Sequence, residues 1–188
     1  LALPWPADLV AQLASRERVD LHRQDQLWDR FCAAADDPLV GLDLGLALQV
    51  GHLDTAGMIL MSCETVGEAV ESLLDYHPIV GEGGDFQLVH RDGQCLLCYQ
   101  PVYLMRRETR VETVLASLLN LTRWATGERL QAASLHVRHA ALAAPERYRQ
   151  RLGVPVSFNA GENALCFDPS QLALPLIHAN PALCRHLR

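Results

Sequence analysis

The chain predicts an α+β fold in which an antiparallel sheet packs against several helices, and three observations carry that expectation. Helical periodicities fill the first half of the sequence. An Asp92-Gly93 turn between two strand-like runs marks a β-hairpin near the middle. Further short strands then follow a long helix, without the regular alternation of a doubly wound parallel sheet. The stretch Gly51 to His77 organises the rest. It joins the almost uncharged block Gly57–Cys63 to a helix headed by Thr65-Val-Gly-Glu68, a capping-box pattern.

Taken in order, residues 6–20 carry a weak helical pattern. Gln24 to Ala35 is clearer, with Leu27, Trp28, Phe31 and Cys32 on one stripe. Asp36-Asp37-Pro38 separates it from a helix expected over Leu39 to Val50, in which Gly41 and Gly45 suit close helix packing. Gly57–Cys63 is apolar on both faces, and a short buried helix is favoured over a strand. Val66, Ala69, Val70, Leu73 and Leu74 give the next helix its apolar face, and His77-Pro78 is expected to end it. Asp85 to His90 and Gln94 to Tyr99 form the hairpin. Glu108 to Thr126 is the longest helix, with Gly127 as its stop. Ala132 to Val137 reads as a strand and Pro145 to Leu152 as a short helix closed by Gly153. Val154 to Phe158 and Asn163 to Phe167 read as strands, with mutual pairing a candidate. Pro175 to Arg188 turns helical and polar, as if leaving the domain.

The composition bounds the function. With 188 residues, 49 % hydrophobic and 20 % charged, the chain suits one globular domain. No apolar run reaches the roughly 20 residues that span a bilayer, and no signal peptide is apparent. Leu1 at the start and Arg188 at the end suggest a piece of a longer chain. All 16 basic residues are Arg, the net charge is −6, and only Arg106, Arg107 and Arg110 cluster. A domain without a positive stripe is a poor partner for a phosphate backbone.

Metal and enzyme chemistry have little to stand on. The 6 cysteines are scattered in apolar surroundings, so reduced, buried thiols are expected. Cys95-Leu-Leu-Cys98 lies in a strand, where residues three apart point to opposite faces and chelate poorly. His136 and His139 differ in facing for a similar reason. No GxSxG or HExxH signature occurs, so the chain is not expected to be an enzyme, and no cofactor or metal site is expected.

Four motifs then carry a resemblance. They are DPLVGLDLG at Asp37–Gly45, GHLDTAG at Gly51–Gly57, TVGEA at Thr65–Ala69 and RLGVPVSFNAGENALCFD at Arg151–Asp168. Together they resemble the N-terminal sensory domain of AraC/XylS-type transcriptional regulators, in the arabinose-binding-domain-like subgroup that includes ornithine-utilisation regulators. Asp54 departs from the Gly often found at its position. The resemblance implies a cytoplasmic, bacterial effector-binding domain that is not a cupin barrel. It implies a small-molecule effector, with an amino acid such as ornithine leading, and a homodimer as a candidate partner. DNA would be contacted only through a helix-turn-helix module beyond Arg188. On this reading residues 1–188 form one sensing and dimerisation domain, with 1–22 a helical extension and 176–188 the start of a linker. A ligand-free dimerisation module is the first alternative and a small Cys/His enzyme the second.

A ligand pocket needs apolar walls and a few converging polar groups. His52, Tyr76, His77, Tyr99 and Tyr103 interrupt apolar elements and are the candidate ligand-binding residues, with Arg106 and Arg110, and Arg107 between them, offering bidentate forks to a carboxylate. For the amine of an amino acid, Asp54, Glu82 and Asp85 are the nearby acids. Each has a plainer use: a histidine as a helix cap, a tyrosine as packing, an arginine paired with Glu108 or Glu112.

Overall fold

The structure is a computed structural model that describes residues 20–80 and 83–187, with the side chains of 54–56, 59, 76–80 and 185–187 excepted. The helical pattern at 6–20, its last residue Asp20 excepted, and Glu82 lie outside the described residues. Helix α1 (Leu21–Ala34) begins where the Asp20 carboxylate accepts the Arg23 amide at 2.9 Å. Helix α2 (Val40–Leu46) is shorter than its pattern, and a 3₁₀ turn at Val50–Leu53 follows it. The Leu48 carbonyl accepts from the Asn120 side chain at 3.0 Å, so it has a partner outside any helix.

The ambiguous apolar block is helical, as favoured, within α3 (Asp54–Ser62). Helix α4 (Val66–Val80) carries the expected cap with one change. Thr65 Oγ1 accepts the Glu68 amide at 3.2 Å, while the Glu68 carboxylate reaches the amide of Glu64. The helix also runs past His77-Pro78 to Val80. A proline removes one amide donor, and the helical bonds around it carry the chain across.

Strands β1 (Gly84–Arg91) and β2 (Gln94–Pro101) form the hairpin, with Asp92 and Gly93 at φ of 51° and 75°. Positive φ at both positions is what a two-residue turn requires. Helix α5 (Arg107–Ala125), strand β3 (Ala132–His136), helix α6 (Pro145–Leu152), and strands β4 (Val156–Ser157) and β5 (Ala164–Phe167) complete an open five-stranded sheet ordered β1-β2-β5-β3-β4. The candidate pairing of the last two strands is not made. β5 is antiparallel to both β2 and β3, and β4 adds in parallel to the outer edge of β3. Two antiparallel neighbours leave β5 no edge for β4.

Alternation on β2 and β5 divides the interior. Cys95, Leu97, Tyr99, Leu165 and Phe167 face Val111, Leu115 and Leu119 of α5 in the main core. Leu96, Cys98, Ala164 and Cys166 form a smaller cluster on the other face, so the two cysteines of the CxxC do point apart. The C-terminal segment does not leave the domain. Leu176 is buried, its amide bonds Glu64 O at 2.9 Å, and helix α7 (Pro181–Leu187) buries Cys184.

Helix α2 crosses α5 at glycine contacts. A Cβ on Gly41 would lie 2.4 Å from Thr109 O, and one on Gly45 would lie 2.3 Å from Thr113 O. Neither backbone oxygen can step aside, so Gly45→Ala must push the helices apart. Overpacking of this kind costs roughly 1–3 kcal/mol. At about 2–4 °C per kcal/mol, calorimetry should show a clear fall in Tm. Gly51→Ala, whose Cβ would meet nothing within 4 Å, should leave Tm nearly unchanged.

Candidate functional site

The sequence-predicted residues divide into three groups. His52 is exposed on the 3₁₀ turn, where its Nδ1 accepts the Gln49 amide at 3.0 Å, a local cap. Tyr76 and His77 lie within α4, and their side chains are outside the described residues, as is that of Asp54. Asp85 is exposed on β1. Tyr99, Tyr103, Arg106 and Arg110 do come together, around α1. Arg110 is 2 % exposed; its guanidinium carbon sits 3.2 Å from the Tyr103 ring centre and 5.4 Å from that of Trp28. Its Nη1 donates to Asp25 at 2.5 Å, and Arg106 pairs with Asp29 at 2.8 Å. The arginines therefore hold carboxylates of this chain, from α1, and do not pair with Glu108 or Glu112. Tyr99 donates to Gly83 O at 2.8 Å and packs on Phe86. Burial, with the Tyr103 hydroxyl beside it, raises its pKa.

A different set of residues frames an open cleft. At the N-terminal half of α5, Arg107, Glu108 and Val111 face Arg138, His139 and Asn163 across a space of about 320 Å³. Asn163 fixes one wall: its Oδ1 accepts the Arg138 amide at 2.9 Å, and its Nδ2 donates to Tyr99 O at 3.3 Å. Directly behind His139 lies Glu112, 1 % exposed. Its Oε1 accepts from Tyr148 at 2.5 Å and stands 3.8 Å from His139 Nε2. That gap is too long for a hydrogen bond. Glu112 Oε2 and His139 Nε2 are both buried without a hydrogen-bond partner among the described residues. An orphaned buried carboxylate oxygen costs stability, and such groups gather at functional sites. Burial pushes the Glu112 carboxyl up to about 7; the Tyr148 bond opposes this and the charge of Glu108 adds to it.

Of these cleft residues, Arg107 alone was among the arginines expected to offer a fork to a carboxylate; Glu108, Glu112, Arg138, His139 and Asn163 were not predicted as contacts. One signal for Glu112 was present, because a carboxylate interrupts the apolar stripe of the longest helix between Val111 and Leu115. Its partners on α6 and the 138–139 loop are remote in sequence.

The C-terminal half of α5 borders a second space of different chemistry. Leu118, Leu121 and Ala125 close a cavity of about 80 Å³ against Leu60 and Met61 of α3 and Val70 and Leu73 of α4. Thr122 is the polar side chain of its wall, and its hydroxyl donates back to Leu118 O at 2.6 Å. Val50 and Leu53 line it, whereas His52 between them does not.

The Glu112 environment sets a pH dependence. A carboxyl raised from 4.5 in the unfolded chain to about 7 in the fold contributes stability while protonated, and loses it as pH climbs through that window. Glu112→Gln keeps an acceptor for Tyr148 and removes the titration. Its Tm should match or exceed that of the unsubstituted protein, with a gap that widens by several degrees between about pH 5 and about pH 8. A gap independent of pH would show that Glu112 is ionised throughout.

Comparison with known proteins places the fold. The family model described as the arabinose-binding domain of AraC transcription regulators, N-terminal, matches residues 7–176. An ornithine utilization regulator of Pseudomonas aeruginosa is 27 % identical over 152 residues, covering 80 % of this chain and 45 % of that protein. The crystal structure of the transcriptional regulator CdpR from Pseudomonas aeruginosa superposes with a TM-score of 0.73 at 18 % identity, over 95 % of this chain and 58 % of that one. The chain thus spans about half the length of these relatives, and the second likeness speaks for the fold alone. No described helix is long and apolar enough to cross a membrane. Both of these relatives are described as regulators. The chain belongs to the family of N-terminal arabinose-binding-type domains of AraC transcription regulators.

Proposed function

We propose that this domain senses a small effector in the cleft beside α5 and passes its occupancy to a DNA-binding module elsewhere in the full protein. The observation that carries the proposal is Glu112: a carboxylate buried behind the cleft with one oxygen lacking a partner among the described residues. Arg107 and Arg138 on the rim suit a carboxylate, and Glu112, with Glu108 nearer the solvent, suits an amine. That disposition supports a zwitterion, an amino acid with ornithine first in line given the name of one relative. The predicted contacts Arg106 and Arg110 become supports of the cleft, holding the start of α5 against α1. Sensing further requires that the effector prefer one of two arrangements of the domain.

A second reading has its own observation. The cavity at the other half of α5 is walled almost wholly by aliphatic side chains and offers no carboxylate to an amine, so it favours an acyl or other apolar ligand. Dimerisation without a ligand is the third. It draws on the exposed Val102, Leu104 and Met105, which are 48 %, 88 % and 45 % accessible.

A thermal-shift screen with titration calorimetry separates the three. Ornithine at about 100 times its Kd should add roughly 2.7 kcal/mol, a rise of several degrees. Arg138→Ala should weaken binding by roughly tenfold or more, since a charged hydrogen bond is worth about 1.5–3 kcal/mol. Stabilisation by short-chain fatty acids alone would move the site to the apolar cavity. Silence across the panel, with concentration-dependent dimers in sedimentation, would favour the dimerisation module.

A further inference from the structure

We propose that Cys63 and Cys184 form a site of reversible oxidation, whose disulfide fastens the C-terminal helix α7 to the turn between α3 and α4. Cys63 follows the last residue of α3 and is fully buried; Cys184, in α7, is 5 % exposed. Their sulfurs lie 3.7 Å apart although 121 residues separate them in the chain. That is van der Waals contact, and a disulfide of about 2.05 Å asks for a small rotation of each side chain. The two backbones are already in register. Asn180 N donates to Ser62 O at 2.9 Å, Leu176 N to Glu64 O at 2.9 Å, and Val66 N to Leu174 O at 3.0 Å. The bond would therefore lock an arrangement that the thiol form holds by hydrogen bonds and packing.

The chemistry balances with hydrogen peroxide as oxidant. One thiolate attacks the O–O bond, which breaks to leave a sulfenic acid and release hydroxide, and that hydroxide takes up a thiol proton to become water. The second thiolate attacks that sulfur and expels hydroxide. Overall two thiols and one peroxide become one disulfide and two waters, the sulfurs losing two electrons and the peroxide gaining them. Cys184 sits on a helix of only seven residues, and local opening of so short a helix is the route by which peroxide reaches the pair. The consequence is local to the wall of the apolar cavity. Leu60, Met61 and Val66 on either side of the turn line the apolar cavity, so the crosslink ties that wall to the terminal helix.

The test is peptide mapping of the protein before and after peroxide, with thiol titration alongside. Two of the 6 thiols should be lost together with the mass of two hydrogens, in a peptide pair joining Cys63 to Cys184, and dithiothreitol should restore them. Hydrogen exchange in 181–187 should slow in the oxidised form. Cys63→Ser and Cys184→Ser should each abolish the crosslink, and Cys98→Ser should retain it. If Cys63→Ser does not fold, Cys184→Ser on the terminal helix gives the same readout. Peroxide that leaves both cysteines as thiols overturns the proposal. So does peroxide that takes either to a sulfinic acid without a crosslink, or that joins Cys98 to Cys166 while this pair stays reduced.

Discussion

Helix α5 carries two ionised or ionisable side chains into the interior within one turn of each other, and the domain is arranged to satisfy them. Arg110 and Glu112 are each almost fully buried. A buried charge costs several kcal/mol unless it is paired and hydrogen-bonded. Arg110 is met by Asp25 of α1 and enclosed by the rings of Trp28 and Tyr103. Glu112 is met by Tyr148 of α6, and only in part. These two demands hold α1 and α6 where they are. The glycine contacts of α2 and the pairs from Asp37 to Arg147 and Arg151 close the same layer.

The half-met demand is what the proposed effector would complete. A hydroxyl satisfies one oxygen of Glu112 and nothing described satisfies the other, while the nearest cation-capable ring, His139, stands just out of hydrogen-bonding range. A ligand amine that completes this arrangement would stabilise the ionised carboxylate and draw the 138–139 loop toward α5. That is a differential interaction between two states, which a sensor requires and simple burial does not supply. The same helix borders the apolar cavity at its other half. A shift along α5 would therefore reach α3, α4 and the C-terminal segment bonded to their turn.

Local chemistry made much of the fold legible. Asp92-Gly93 announced a hairpin because few residues accept two positive φ angles in succession. Thr65 and Glu68 announced the start of α4, Pro145 and Gly153 the limits of α6, and Gly127 the end of α5. The glycines of α2 were read as packing and are packing. What depended on tertiary partners was not legible. The 14-residue helix α1 could be seen in its stripe, but not that Asp25 on it would take Arg110, 85 residues away. The apolar runs of β4 and β5 said strand without saying which neighbour. The polar C-terminal pattern hid the burial of Leu176 and Cys184. The cleft was missed because Arg138 and Glu112 join Arg107 only once α5 and the 138–139 loop are side by side.

Hydrogen–deuterium exchange of the domain, with and without saturating ornithine, addresses the central claim most directly. Binding at the cleft predicts slowed exchange in residues 107–112 and 137–140, with little change in 57–73 around the apolar cavity. Protection confined to 57–73, or none anywhere, would contradict the assignment of the buried Glu112 as the effector's anchor.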